Sequence, residues 1–218
     1  MPKDFNEIQE KVALVQGMVK TVQLDACDGQ FTPHPSWPYK KHDDSFDRII
    51  SEDLGLPGWQ TLNFEVDLMA NKPEERVEEW VQAGATRVVI HVESRGDVIG
   101  AIEKLAGRVE VGLALNVETG LEKLGDFKSK IENESIQFVQ LMGIDNVGFQ
   151  GQEFDMRVVD KVKELRSMFP NLLISVDGGV SLETAPLILD AGADRLIVGS
   201  AIFGSDNFIE SIQKFKAL

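Results

Sequence analysis

Ala191-Gly192-Ala193-Asp194-Arg195 runs into Leu196-Ile197-Val198, and Ala83-Gly84-Ala85-Thr86-Arg87 runs into Val88-Val89-Ile90. Each stretch reads as a helix-to-strand joint. The glycine ends the helix in a left-handed conformation, and the flanking alanines let the next strand pack closely. Working outward from these joints, seven apolar, β-branched-rich runs emerge: Thr21–Cys27, Leu62–Met69, Arg87–Val92, Val109–Asn116, Phe138–Ile144, Leu172–Asp177 and Arg195–Ala201. Such near-continuous runs mark strands buried on both faces. Helix-period stretches separate them, among them Pro73–Ala83, with Val77, Trp80 and Val81 on one face, and Glu153–Phe169, with Val158, Val159, Val162 and Leu165. Alternation of strand and helix implies a parallel sheet, and repeated joints favour a TIM (β/α)8-type barrel over an open one.

The strand count is one short of that barrel. Seven strands accompany about eight helices, and the chain opens on a helix at Asp4–Val19 where a first strand would stand. The missing strand would leave two sheet edges with unpaired backbone groups, so association into a homo-oligomer is expected. The 218 residues are read as one domain, 1–218.

A formal charge of −14, with no Lys/Arg run, opposes binding to nucleic acid or to an anionic membrane. The single cysteine, Cys27, forms no internal disulfide, no apolar stretch approaches a bilayer's width, and no basic leader is present. A cytoplasmic enzyme fits these features.

The chemistry is concentrated at the ends of the strand-like runs. Ser175-Val176-Asp177-Gly178-Gly179-Val180 places a carboxylate beside two glycines whose amides are free to face an anion. This suggests acid/base work on a phosphorylated substrate. Leu24-Asp25-Ala26-Cys27-Asp28-Gly29-Gln30-Phe31, Asp67-Leu68-Met69, His91-Val92-Glu93, Gly112-Leu113-Ala114-Leu115-Asn116, Gly148-Phe149-Gln150-Gly151-Gln152 and Gly199-Ser200-Ala201-Ile202-Phe203 follow in an order that resembles the ribulose-phosphate 3-epimerase family, barrel enzymes of the pentose phosphate pathway.

The resemblance implies epimerisation at C3 of a phosphorylated ketose through an enediolate, D-ribulose 5-phosphate to D-xylulose 5-phosphate by default and a six-carbon ketose phosphate as the near alternative. Two opposed aspartates would carry it, Asp25 and Asp177, since inversion needs acid/base groups on both faces of the bound carbon. It also implies substrate contacts at Met69 and Met142, and a phosphate cradle from Gly178, Gly179, Gly199 and Ser200, closed by Gly148 and Gly151. Family members hold a divalent metal (Mg, Mn, Zn or Fe) with two histidines and two aspartates. Here Gln23 and Asp67 stand at the histidine positions, so the matching set is Gln23, Asp25, Asp67 and Asp177. An all-oxygen set suits Mg²⁺ or Mn²⁺ better than Zn²⁺, and the alternative is a site without a metal, in which three converging carboxylates would repel one another. These losses keep a second reading open, a sugar-phosphate-binding pseudoenzyme or a truncated barrel scaffold.

His91 reads as a packed core residue, and neither His34 nor His42 is counted as a ligand. The long segment Pro33–Gln60, with Trp37, Tyr39, Lys40, Lys41 and Trp59, either caps the mouth of the barrel or packs on its rim. No strand run carries an internal lysine, which argues against a Schiff-base aldolase, and Asp25-Ala26-Cys27-Asp28 lacks the lysine of the related decarboxylases and hexulose-phosphate synthases. The spacing of Gly148 and Gly151 is wrong for a dinucleotide turn.

Overall fold

A computed structural model describes residues 1–40, 43–149 and 151–218. Lys41, His42 and Gln150, all singled out above, lie outside the described residues. The seven strands follow chain order in the sheet, β1 to β7, and the chain divides into two compact units, Met1–Gly112 and Leu113–Leu218.

The first unit opens on α1 (Phe5–Val15). Asp4 caps it by accepting from the Glu7 amide at 2.9 Å, and Phe5, Ile8, Val12 and Val15 bury one stripe at helical spacing. The helix ends four residues before the expected Val19, because Gln16 leaves helical geometry and Gly17 turns the chain at φ 79°. Among the described residues no strand precedes α1.

β1 (Thr21–Cys27), α2 (Ser45–Ile50), β2 (Asn63–Met69), α3 (Val77–Gln82), β3 (Arg87–His91), α4 (Val98–Leu105) and the start of β4 (Glu110–Leu115) complete this unit. β1 pairs with β2 in parallel, placing Asp25 opposite Asp67, and β2 pairs with β3 in parallel. The expected helix Pro73–Ala83 is broken: Pro73–Glu75 form a 3-10 turn, and α3 starts only at Val77. Lys72 before the proline sits at φ 52°, which sets the tight entry.

In the second unit β4 is followed by a 3-10 segment, Leu121–Phe127, and by α5 (Lys128–Glu132), β5 (Phe138–Met142), α6 (Arg157–Met168), β6 (Leu173–Asp177), α7 (Ala185–Asp190), β7 (Arg195–Ile197), α8 (Ser200–Phe203) and α9 (Phe208–Lys216). β5, β6 and β7 pair in parallel, with Met142 opposite Asp177 and Asp177 opposite Ile197. Two expectations shift here. β7 is three residues long and half-buried, rather than a run to Ala201 buried on both faces, because Gly199 opens α8 and takes Ser200 and Ala201 into a helix. The helix expected from Glu153 starts at Arg157, since residues 153–156 are used by a loop.

The two joints that opened the sequence reading behave alike. Gly84 and Gly192 have φ of 92° and 109°, each ends a helix, and each is followed within three residues by a strand. At the second joint Arg166 fixes the geometry, donating to the Gly192 carbonyl at 2.8 Å and pairing with Asp194 at 2.6 Å, while Asp194 accepts from the Ile174 amide at 2.8 Å. Helix end and strand start are thus tied to β6 by one side-chain network.

Candidate active site

The candidate residues stand at the C-terminal ends of strands, and the register of the sheet explains which of them meet. In the first unit Asp25 and Asp67 are opposite one another on β1 and β2, and a carboxylate oxygen of each lies within 4.8 Å of the other. Asp67 is fully buried. Its Oδ1 contacts His91 Nε2 at 3.0 Å, and His91, also fully buried, packs at a tilt against Phe31 with ring centroids 4.9 Å apart. The sequence placed His91 in the core as a hydrogen-bonded residue, and it is one. On its other side Nδ1 is 3.6 Å from Glu93 Oε2, an ionic distance beyond hydrogen-bond reach.

Burial alone would hold the His91 imidazole neutral, but the Asp67 carboxylate outweighs it, and Glu93 adds to the effect, raising the imidazolium pKa from 6.5 to about 9. A group bound more tightly to its proton in the folded state adds stability that is complete below pH 6.5 and is lost as pH rises through about 9. A shift of this size corresponds to about 3 kcal/mol. Urea unfolding of the metal-free protein is therefore expected to show stability falling between pH 6.5 and 9, and His91→Gln to flatten that fall.

The Asp25 side chain is about a quarter exposed. Gln23 Nε2 donates to its Oδ1 at 3.3 Å, and the amino group of Met1 lies 3.2 Å from its Oδ2. Its backbone is fixed by a residue the sequence reading did not single out. Ser36 Oγ donates to the Asp25 carbonyl at 2.6 Å and accepts from the Cys27 amide at 2.9 Å, so one buried hydroxyl bridges both sides of Ala26. Cys27 is a buried thiol whose pKa burial pushes up to about 12, and it packs against the sulfurs of Met1 and Met69 at 3.4 and 3.8 Å.

The segment carrying Ser36 packs down through Trp37. That ring meets Phe46 edge-on at 5.3 Å, Trp80 at 5.9 Å and Phe5 at 5.7 Å, and its Nε1 donates to Ser45 at 2.9 Å. Of the two roles open to the segment, this part packs. His34 and Trp59 are exposed.

In the second unit Asp177 ends β6 and is followed by Gly178 and Gly179 at φ 101° and 67°. Both glycines are required for room as well as for conformation. A Cβ on Gly178 would meet Ile144 at 2.9 Å, and one on Gly179 would meet the Phe154 backbone at 2.7 Å. Gly179→Ala is expected to destabilise the protein by about 1–3 kcal/mol and to push the Phe154 segment away, detectable as a lowered urea midpoint and a raised KM.

Gly143, which the sequence reading passed over, links the two strand ends. Its amide donates to the Asp177 carbonyl at 2.7 Å, and its own carbonyl accepts from the Asp155 amide at 2.8 Å. A Cβ there would meet the Gly178 carbonyl at close range, nearer than any real Cβ contact allows. Met142 is buried beside this junction, opposite Asp177 in the register. Gly148 and Gly151 belong to the loop that leaves β5, with φ of 85° and 72°. Gly199 caps α8 at φ −108° and ψ −80°, and Ser200 is exposed at its first turn. In the sequence Gly143 lies inside the apolar run Phe138–Ile144, and only the structure, which ends β5 at Met142, places it at the junction.

A family model, the ribulose-phosphate 3 epimerase family, matches residues 1–203. The chain belongs to that family. It is 29% identical over 217 residues to the ribulose-phosphate 3-epimerase of Bacillus subtilis (strain 168), covering 97% of this chain and 91% of the relative. It is 33% identical over 224 residues to the chloroplastic ribulose-5-phosphate-3-epimerase of Arabidopsis thaliana, covering 98% and 73%. The enzyme class is thus that of an isomerase acting by epimerisation.

Solved structures share the fold at lower identity. A 3-hexulose-6-phosphate synthase superposes with TM-score 0.67 at 19% identity, covering 99% of this chain and 96% of the other. The 3-hexulose-6-phosphate synthase from Salmonella typhimurium gives 0.68 at 15%, covering 98% and 92%. Among the described residues seven parallel strands alternate with helices, a fold of the TIM-barrel type. Among the described residues no helix is long and apolar enough to cross a membrane.

Proposed function

We propose that this epimerase interconverts D-ribulose 5-phosphate and D-xylulose 5-phosphate, with Asp25 and Asp177 as its acid/base pair. The observation that carries the reading is the placement of Asp177 at the end of β6, directly before two glycines in left-handed backbone, within a chain of this family. Anion-facing amides beside a carboxylate are what a phosphorylated substrate with an acidic C–H bond requires. In barrels of this kind the chemistry sits at the C-terminal ends of strands and phosphate is held by the last loops, which is where Gly178, Gly179, Gly199 and Ser200 fall in the chain.

In this mechanism one aspartate removes the C3 proton as a carboxylate, and the other, protonated, returns a proton to the opposite face. The reverse reaction exchanges the roles. Charge accumulates on the C2 and C3 oxygens in the enediolate. Met69 and Met142, both buried at strand ends, supply apolar walls that exclude water from the carbanionic carbon. The backbone amides of the glycine cradle hold the phosphate, with Gly148 and Gly151 closing over it.

Gln23, Asp25, Asp67 and Asp177 would hold a divalent cation. Adjacent carboxylates on β1 and β2, one of them fully buried, fit a hard ion of the Mg²⁺ or Mn²⁺ type rather than one that prefers nitrogen and sulfur. When bound, such an ion supplies electrostatic stabilisation of the enediolate oxygens.

The test is proton NMR of D-ribulose 5-phosphate in D₂O with the protein, with and without Mn²⁺ or Mg²⁺. Incorporation of deuterium at C3 together with appearance of xylulose 5-phosphate is the expected result. A C3 signal that persists undiminished under both conditions would overturn the reading.

A further inference from the structure

We propose that Arg157 is a positioning residue for phosphate binding, a latch that holds the loop between β5 and α6 in its ligand-facing arrangement. The inference rests on the reading of the glycine cradle given above. Arg157 opens α6, and its guanidinium reaches three carboxylates from three places in the chain. Nη2 pairs with Asp145 at 2.7 Å, at the start of the loop, and with Asp155 at 2.5 Å, at its end. Nη1 pairs with Glu118 at 2.6 Å, in the turn after β4. Nε donates to both Asp155 oxygens, at 3.0 and 2.9 Å. Both ends of the loop that carries Gly148 and Gly151 are therefore held by one planar group.

The latch is continuous with the candidate acid/base residue. Asp155, whose carboxyl the Arg157 hydrogen bonds hold down to about 2, donates its amide to the Gly143 carbonyl, and Gly143 donates to the Asp177 carbonyl. Phe154, one residue before Asp155, lies against Gly179, so a shift of the loop's end moves the wall of the proposed cradle. Exposed ion pairs taken singly contribute little. Here the effect comes from geometry: a guanidinium uses Nε and both terminal nitrogens at once in a fixed fork, which an ammonium cannot imitate. Asp155 is ionised throughout the neutral range, so the latch adds no pH step of its own to activity there.

Three readouts test the proposal on the full chain: KM and kcat with D-ribulose 5-phosphate, calorimetric binding of inorganic phosphate, and amide hydrogen exchange across residues 145–155. For Arg157→Gln the expected result is a KM and a phosphate dissociation constant each raised about tenfold, kcat changed less than about twofold, and faster exchange in the loop. Arg157→Lys, which keeps the charge without the fork, is expected to recover only part of the affinity. Unchanged KM and phosphate affinity in Arg157→Gln would overturn the proposal, and would do so even if the loop exchanged faster, since the ion pairs would then serve stability alone. A wild-type protein that binds neither phosphate nor sugar phosphate would overturn the cradle itself and the latch with it, whereas tight wild-type binding with an indifferent Arg157→Gln overturns only the latch.

Discussion

Asp177→Asn is expected to abolish formation of D-xylulose 5-phosphate from D-ribulose 5-phosphate, lowering the rate of epimerisation by about 10³–10⁴-fold while leaving the fold intact. The amide is isosteric, so the β6 register and the Gly143-to-Asp177 backbone bond are preserved, and so are the two glycines that follow. What is lost is a group that can carry the migrating proton, and general acid/base catalysis by a positioned side chain contributes about 10²–10⁴-fold. The upper part of that range is expected because epimerisation gives each face of the sugar one acid/base group, with no second residue to replace it.

Asp25→Asn should match it in overall epimerisation. If one residue serves only as proton donor in a given direction, its variant retains washout of the substrate C3 proton but forms no inverted product. Comparing substrate exchange with product formation in the two variants therefore assigns which aspartate attacks from which side. Retention of more than about a tenth of wild-type turnover in Asp177→Asn would remove Asp177 from the chemistry.

Trp80→Ala is expected to cost about 3–5 kcal/mol. The ring is fully buried, packs at a tilt on Phe46 with centroids 4.7 Å apart, meets Trp37 at 5.9 Å, and donates from Nε1 to the Tyr39 hydroxyl at 3.0 Å. Its removal leaves a cavity and takes the indole donor from a phenol whose pKa burial pushes up to about 12. Urea denaturation should show the midpoint falling with the slope nearly unchanged.

The loss reaches the site by a definite path. Trp37 follows Ser36, whose hydroxyl bridges the Asp25 carbonyl and the Cys27 amide, so loosening the aromatic cluster loosens the end of β1. Activity is therefore expected to fall before global unfolding as urea is raised. Trp80→Phe, which keeps most of the volume, should recover much of the stability but not the hydrogen bond to Tyr39.

What was legible in the sequence was what local physics enforces. Seven buried runs separated by helical periods, and two glycine joints that feed strands, determine a parallel α/β barrel short of one strand. Asp177 was legible as a strand-end carboxylate because a strand buried on both faces has few reasons to end in one, whereas Asp25 and Asp67 were marked by the family resemblance. His91 was legible as core because a lone histidine inside an apolar run needs a partner, although the run could not say that the partner was Asp67. That pairing is a matter of register between strands separated along the chain, which no local pattern encodes.

Other features were decided by tertiary structure alone. Whether Pro33–Gln60 capped or packed depended on Trp37 finding Phe5, Phe46 and Trp80, contacts between residues scattered along the chain. Gly143 and Arg157 looked like an ordinary glycine and an ordinary surface cation. Their importance arises because the loop returns, setting Phe154 against Gly179 and Asp155 on Gly143, with Arg157 gripping both ends. Periodicity and turn chemistry are properties of neighbours in sequence, and they determined the elements. Close approach and shared hydrogen bonds are properties of neighbours in space, and only the folded chain decided those.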